Sequence, residues 1–169
     1  MYLVDTNVIS AGAPARLVQP ELIVWMDEHS AALFLSAVTV AEIEDGIAKL
    51  RREGATRKSE DLKDWFETVL HLYGDRVLAF DTATARIAGA LSDRARGQGQ
   101  APGLADIVIA ATAQHHGLTI LSRNVRHFAP LGVPILDPFA VYPPRSFDAA
   151  GDARILLASR ANRTGALCL

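Results

Sequence analysis

Short apolar runs alternate with longer amphipathic segments along this chain, and this alternation limits its fold more than any other feature. The short runs are typical of buried strands and the longer segments of helices. Strands are predicted at 2–4, 33–36, 77–80, 119–121 and, short and at an edge, 133–136. Helices are predicted at 8–11, 21–29, 39–52, 59–73, 82–96 and 104–116. The order predicts an α/β fold of three layers, α/β/α, around a central, mostly parallel sheet of four to five strands.

The composition changes near the end of the chain. The 169 residues are enough for one domain with a real core, and half of them are hydrophobic. Pro143 and Pro144 stop regular structure, and the segment after them carries mainly Ala, Gly, Arg, Ser and Asp. We therefore expect one domain at 1–142 and a C-terminal tail at 143–169, extended or disordered, whose role the sequence leaves open.

Charge and cysteine content exclude several classes of protein. The net charge of −2 argues against a protein that holds nucleic acid by bulk charge alone. The single cysteine, Cys168, excludes an internal disulfide or a cysteine-based zinc site, and it fits a reducing cytoplasm. No signal-peptide pattern and no apolar run of about 20 residues is present, so we expect a cytoplasmic chain without a membrane partner.

Acidic and amide side chains stand where the predicted strands end or helices begin. Asp5 follows the first strand, Glu42 and Asp106 lie near helix starts, and Asn124 follows the fourth strand. Sites in parallel sheets form at the carboxyl ends of strands, so these four groups can converge on one pocket. Clustered carboxylates require a cation, and oxygen ligands suit Mg²⁺ or Mn²⁺, which points to phosphodiester chemistry. The hydroxyls that would support such a pocket are Thr6, Ser36, Thr39 and Ser122.

Each of these residues also has an ordinary structural explanation. Asp5 could form a turn, and Asn124 could be a loop residue. Glu42 stands three residues after Thr39, the spacing of a capping box, and Asp106 in the first turn of its helix complements the helix dipole. The joint pattern at one edge of one sheet favours a site over four separate structural roles.

Four motifs in order give the chain a resemblance to a known family. They are LVDTNVIS at 3–10, SxxTxAEIxxGI at 36–47, LADIxIAATA at 104–113 and LSRNVRHF at 121–128. Together they resemble PIN-domain ribonucleases, and more narrowly the VapC and FitB-like toxins of bacterial toxin–antitoxin pairs. The resemblance covers about residues 1–141.

The resemblance implies a metal-dependent endoribonuclease. It implies that Asp5, Glu42 and Asp106 hold the metal and that Asn124 fills the fourth family position, commonly Asp or Asn. Because Asn124 is neutral, the number of metals, one or two, stays open. Thr6 and Ser122 match hydroxyl positions that assist the metal or its water. The cations beside this position, Arg123 and Arg126, are candidate substrate-binding residues.

The resemblance also implies partners. These are a small cognate antitoxin, an RNA substrate, a second copy of the chain in a homodimer, and a higher toxin–antitoxin complex in which DNA is bound through the antitoxin. The RNA target and the cleavage position are not readable from the residues.

Two alternatives remain. One is a catalytically silent PIN-like module that only binds an antitoxin, which the neutral Asn124 allows. The other is a phosphatase of the haloacid-dehalogenase type, which needs a second Asp where Asn7 stands and a late Lys, whereas no Lys follows Lys63.

Overall fold

Five short strands form one sheet in which every pair of neighbours is parallel. The computed structural model describes residues 1–14 and 20–141. The strand order is β3-β2-β1-β4-β5. The strands are β1 (Tyr2–Val4), β2 (Leu33–Ser36), β3 (Val77–Leu78), β4 (Thr119–Leu121) and β5 (Ile135–Leu136).

Helices connect these strands and cover the sheet. In chain order they are α1 (Thr6–Ile9), α2 (Pro20–Glu28), α3 (Ala37–Arg52), α4 (Thr56–Tyr73), α5 (Thr82–Gly97), α6 (Leu104–His116), α7 (Val125–Phe128) and α8 (Pro138–Val141). Short 3₁₀ turns lie at Ser10–Gly12, Ser30–Ala32, Gly74–Arg76 and Ala129–Leu131. No helix in the described part of the chain is long and apolar enough to cross a membrane.

Two hydrophobic cores lie on the opposite faces of the sheet. Successive strand residues point to opposite faces, so Leu3 enters one core and Val4 the other. Ile120 and Leu121 divide in the same way. The first core is completed mainly by α5 and α6, and the second by α1 to α4. This arrangement confirms the three-layer α/β/α prediction.

The chain reverses its direction of travel across the sheet at β1. From β1 it moves to β2 on one side, and it later returns as β4 on the other side. The register pairs Val4 with Leu121, so β1 and β4 end side by side. Ligands of open α/β sheets bind outside the carboxyl ends of strands at such a reversal. The residues that follow these two strands are Asp5 and Ser122.

Most predicted elements are present, and the start of α3 differs in a way that affects the site. The capping-box interpretation is wrong, because α3 begins at Ala37 and its N-cap is Ser36, whose Oγ accepts from Val38 N at 3.3 Å. Glu42 therefore lies beyond the first turn and caps nothing. The predicted caps at Asp81 and Gly117 are confirmed: Asp81 Oδ1 accepts from Thr84 N at 2.9 Å, and Gly117 is left-handed with φ 64°.

Other boundaries differ by a few residues. The predicted strand at 77–80 is only Val77–Leu78, while α4 begins three residues before the predicted start. The first helix is Thr6–Ile9 rather than 8–11, because Asp5 caps it with its own carboxylate. The short helices α7 and α8 carry too few residues to show a period, and they were not predicted. The predicted tail at 143–169 lies outside the described residues, so that boundary stays a prediction.

Candidate metal site between strands β1 and β4

Asp5 is buried at the carboxyl end of β1 and is held on every side. Its side chain accepts hydrogen bonds from Thr6 N at 2.7 Å on Oδ1, and from Asn7 Nδ2 at 2.7 Å and Ser122 Oγ at 2.6 Å on Oδ2. Its backbone N donates to Leu121 O at 3.0 Å, which continues the pairing of β1 with β4. The residue is 5% exposed. A carboxylate fixed in this way has one orientation relative to the sheet.

Ser122, the residue after β4, joins Asp5 to the loop that follows that strand. Its Oγ donates to Asp5 Oδ2 and accepts from Asn7 Nδ2 and from Asn124 N, both at 3.0 Å. A hydroxyl has one hydrogen and two lone pairs, so this side chain is fully used. Ser122 is completely buried, and its predicted role in supporting a metal site stays a prediction.

Burial raises the pKa of the Asp5 carboxyl above its ordinary value of 3.8. The hydrogen bonds from Ser122 and Thr6 lower that pKa but do not cancel the effect of burial, and the negative charges of Glu42 and Asp106 raise it further. Glu42 and Asp106, from two other segments, are therefore close enough to act electrostatically on Asp5.

Glu42 reaches the site from α3. It is exposed, and its Oε2 accepts a hydrogen bond from Thr6 Oγ1 at 2.5 Å. Thr6 thus bonds to Asp5 through its backbone and to Glu42 through its side chain. This is the contact that joins two of the predicted acids.

Asp106 lies in the first turn of α6 and faces a histidine. His127 Nδ1 on α7 is 3.4 Å from Asp106 Oδ2, and the two side chains are 42% and 21% exposed. Asp106 begins an otherwise buried helix, and a carboxylate there requires a polar neighbour. His127 supplies it.

The remaining predicted residues are either exposed or have side chains that contact other parts of the fold. Asn124 is exposed, and its contact with the network is made by its backbone N. Arg123 is exposed, and its guanidinium lies 4.7 Å from the centre of the Phe139 ring. Arg126 is exposed on α7. Ser36 is buried as the cap of α3, where its hydroxyl bonds to the helix.

Asn7 is the site residue that sequence reasoning missed. Its Nδ2 donates to Asp5 Oδ2 and Ser122 Oγ, and its Oδ1 accepts from Arg123 N at 3.2 Å. In the sequence it is only the third residue of a turn-forming run. The available signal was a second polar side chain, two residues after the acid that ends a buried strand.

The donor chemistry of the site fits a hard divalent cation. All the candidate ligands are oxygens, as Mg²⁺ and Mn²⁺ prefer. Thr39 stands three residues before Glu42 on the same helix face, and within 1–14 and 20–141 its buried Oγ1 has no hydrogen-bond partner. Such a hydroxyl is suited to bond to a water, and Mg²⁺ usually keeps several waters.

The side chains are nevertheless not drawn together as a ready ligand set. No group of three or more His, Cys, Asp or Glu within residues 1–14 and 20–141 is placed to hold a metal ion. Three carboxylates repel one another without a cation, and Glu42 and Asp106 are turned to Thr6 and His127 instead. A bound cation would require the side chains of these two acids to turn away from Thr6 and His127.

The PIN domain family model matches residues 2–131, which is most of the chain. The chain therefore belongs to the PIN-domain family. Among its relatives, the toxin FitB of Neisseria gonorrhoeae is 36% identical over 142 residues, covering 82% of this chain and 99% of that protein. The VapC ribonuclease Y4jK of Sinorhizobium fredii is 35% identical over 144 residues, covering 82% and 98%.

Solved structures show the same fold. The crystal structure of FitAcB from Neisseria gonorrhoeae superposes with a TM-score of 0.73 at 34% identity, covering 82% of this chain and 99% of that one. The structure of FitAB bound to the IR36 DNA fragment superposes with a TM-score of 0.66 at 31% identity, covering 86% and 99%.

Proposed function

We propose that this protein is a metal-dependent endoribonuclease that acts in the cytoplasm as the toxin of a toxin–antitoxin pair. The observation that carries the proposal is the convergence of acids from separate segments: Thr6 bonds to both Asp5 and Glu42, and Asp106 acts electrostatically on Asp5. Asp5 is buried at the sheet reversal, and the charges of Glu42 and Asp106 both raise its pKa. Two similar proteins, which align with this chain over almost their whole length, are named as a toxin and as a ribonuclease, and these names support this choice of chemistry.

In this proposal Asp5, Glu42 and Asp106 hold Mg²⁺ or Mn²⁺, and Asn124 stands beside them as a neutral fourth residue. A bound divalent cation supplies an activated water and offsets negative charge on the phosphate. The residues of the chain do the positioning: Ser122 fixes Asp5, and Thr6 holds Glu42 near it. Thr39 offers a buried hydroxyl for a water below Glu42.

The substrate side of the proposal rests on cations at the rim. Arg123 and Arg126 are exposed on either side of Asn124, where they can bind the phosphates of an RNA strand. Backbone contact with Asn7 fixes the start of this loop relative to Asp5. The net charge of −2 means that affinity for RNA must come from such local cations.

The proposed partners are a small antitoxin and a second copy of this chain. The similar protein named toxin FitB, and the FitAB structure bound to a DNA fragment, support a toxin–antitoxin assembly that binds DNA. In this proposal the antitoxin carries the DNA recognition. An antitoxin arginine that pairs with Asp5 or Asp106 would compete with the cation.

A catalytically silent antitoxin-binding module is the second candidate. It is favoured by the absence, within the described segments, of three acids or imidazoles placed together for a metal, and by the neutral Asn124. It predicts normal antitoxin binding and no metal-dependent cleavage. The phosphatase alternative needs an aspartate at position 7, where this chain has Asn7. The structure also disfavours an aspartate there, because its oxygen would repel Asp5 Oδ2, to which Asn7 Nδ2 now donates at 2.7 Å.

The test is RNA cleavage by the purified full chain free of any partner. Total RNA would be incubated with Mg²⁺, Mn²⁺ or EDTA, and the products examined for defined cut positions. Asp5→Asn and Asp106→Asn are the site variants. Asp93→Asn, at an exposed acid on α5, is the matched control for the chemical change.

Cleavage that needs a divalent cation, persists in Asp93→Asn and disappears in both site variants supports the nuclease. Cleavage that persists in the site variants identifies a contaminating enzyme and counts against the proposal. Folded protein that neither cleaves RNA nor binds Mn²⁺, but binds a co-expressed antitoxin, is the result expected of the silent module.

A further inference from the structure

Asn7 connects the candidate metal site to the loop after β4 through both ends of its amide. The two hydrogens on Nδ2 go to Asp5 Oδ2 at 2.7 Å and to Ser122 Oγ at 3.0 Å. The Oδ1 atom accepts from the backbone N of Arg123 at 3.2 Å. Two residues far apart in the chain, 7 and 123, are thereby held together beside the carboxylate.

The hydrogen-bond partners allow one orientation of this amide. If the amide were flipped, Nδ2 would face the N–H of Arg123 and Oδ1 would face Asp5 Oδ2. Both contacts would then pair like with like, donor with donor and acceptor with acceptor. An aspartate at this position could accept from Arg123 N, but it would oppose the Asp5 oxygen. Only an asparagine amide satisfies both sides with this geometry.

The same bonds decide which oxygen of Asp5 remains available. A carboxylate has about four lone-pair positions, two on each oxygen. Oδ2 accepts from Asn7 and from Ser122, so both of its positions are used. Within the part of the chain that the structure describes, Oδ1 accepts from Thr6 N alone, which leaves one position free. A cation bound by Asp5 is therefore directed to Oδ1.

We propose that Asn7 is the positioning residue of this metal site. It saturates Asp5 Oδ2 so that Oδ1 alone faces the cation, and it fixes the Ser122–Asn124 loop on the same carboxylate. The inference rests on the proposed function for the identity of the ligand, and it adds a residue that touches neither cation nor RNA. Partners of a ligating side chain generally contribute 10- to 100-fold to metal affinity.

The experiment compares Asn7→Ala and Asn7→Leu in the full chain. Both variants remove all three hydrogen bonds, but leucine keeps the branched shape of asparagine and leaves no cavity, so the pair separates lost bonds from lost packing. Mn²⁺ affinity would be measured by calorimetry on metal-free protein, with Asp5→Asn as the reference for a lost ligand. Metal-free crystal structures of both variants, and hydrogen exchange at the Arg123 amide, give readouts that need neither cation nor activity.

A 10- to 100-fold loss of Mn²⁺ affinity in both variants, with the Asp5 carboxylate turned and Arg123 N–H exchanging faster, is the expected result. If Asn7→Leu keeps the Mn²⁺ affinity that Asn7→Ala loses, Asn7 acts by packing, and the inference is overturned. Unchanged Mn²⁺ affinity beside a wild-type chain that binds the ion would also overturn it. A wild type that binds no Mn²⁺ refutes the metal site of the proposed function. In that case the metal-free crystal structures decide. The inference fails if Asp5 and the Ser122–Asn124 loop keep their positions in both variants, and Asn7 remains a positioning residue if Asp5 and the loop both move.

Discussion

A buried carboxylate that accepts three hydrogen bonds and still has a raised pKa is the central residue of this molecule. Asp5 loses its hydration on folding, and the bonds from Thr6 and Ser122 replace only part of it. Glu42 and Asp106 add repulsion. At this scale the site is an electrostatic cost to the fold that a cation would relieve.

The first residue-scale prediction concerns pH. Because the folded state raises the Asp5 pKa above 3.8, the folded protein binds the proton more tightly than the unfolded chain does. The free energy of unfolding of metal-free protein should therefore fall as pH rises above 3.8, until Asp5 is ionised in the folded state too. The contribution of Asp5 to this slope is at most about 1.4 kcal/mol per pH unit. Urea unfolding from pH 4 to pH 8 would measure it.

Asp5→Asn is the comparison for that series, because it removes the titrating group. Subtracting its unfolding free energy at each pH isolates the contribution of Asp5. A difference between the two proteins that does not change with pH would contradict the expected shift.

Ser122→Ala is the second residue-scale prediction. It removes the 2.6 Å hydrogen bond to Asp5 and the acceptor for two donors in a fully buried position. We expect the free energy of unfolding to fall by about 1–3 kcal/mol. Thr68→Ala, which removes an exposed hydroxyl bond within α4, should cost less than about 0.5 kcal/mol. If chemical denaturation shows equal losses of stability for Ser122→Ala and Thr68→Ala, the prediction for Ser122 is wrong.

At the scale of helices and strands, the residues at helix ends determine the local geometry. The sequence supplied the order of the main helices and strands, since their periods are long enough to detect. It did not supply the start of α3, because Ser36 and Thr39 are both acceptable caps by residue type. Nor could it show that α7 packs near the start of α6, which brings His127 to Asp106. That contact depends on tertiary packing rather than on any local pattern.

Ser36→Ala and Thr39→Val test the observed start of α3. Ser36 Oγ caps the helix, so its loss should cost about 0.5–2 kcal/mol. Thr39 Oγ1 has no partner among the described residues, so replacing it with a methyl of the same shape should be neutral or slightly stabilising in metal-free protein. Thermal and urea unfolding would compare the two. A larger loss of stability in Thr39→Val than in Ser36→Ala would instead identify Thr39 as the N-cap of α3.

A pair of glycines gives the second element-scale prediction. Gly117 ends α6 with φ 64°, and Gly46 lies inside α3; an added methyl group meets nothing within 4 Å at either. Gly117→Ala should destabilise by about 1 kcal/mol through backbone strain. Gly46→Ala should stabilise by about 0.5–1 kcal/mol. Effects of the same sign in denaturant titrations would contradict this assignment of backbone conformation.

The whole molecule brings together groups from the two ends of the domain. A mostly parallel sheet was predictable from strand–helix alternation, and so was the convergence of Asp5 and Ser122 at its carboxyl edge, but the strand order with its reversal at β1 was not. The role of Asn7 was not predictable, because its side chain crosses from the end of β1 to the loop after β4. Sequence distance gives no information on which of many polar side chains makes such a crossing.

Cation binding should be visible as stability of the whole domain. A ligand at 100 times its dissociation constant adds about 2.7 kcal/mol to the free energy of unfolding. We expect Mg²⁺ or Mn²⁺ to raise the midpoint of urea unfolding in wild type and to have much less effect in Glu42→Gln. Sodium chloride at matched ionic strength controls for screening. Equal shifts in both proteins would argue against Glu42 as a ligand.

The placement of β1 between β2 and β4 has a consequence for the synthesis of the protein. Asp5 is synthesised before its hydrogen-bond partner Ser122, which lies 117 residues later in the chain. At about 5–20 residues per second, Ser122 is added roughly 6–23 s after Asp5. A nascent chain shorter than this lacks the β4 edge, so its acids have no common geometry. The proposed site therefore cannot assemble on the nascent chain before β4 and Ser122 have been added.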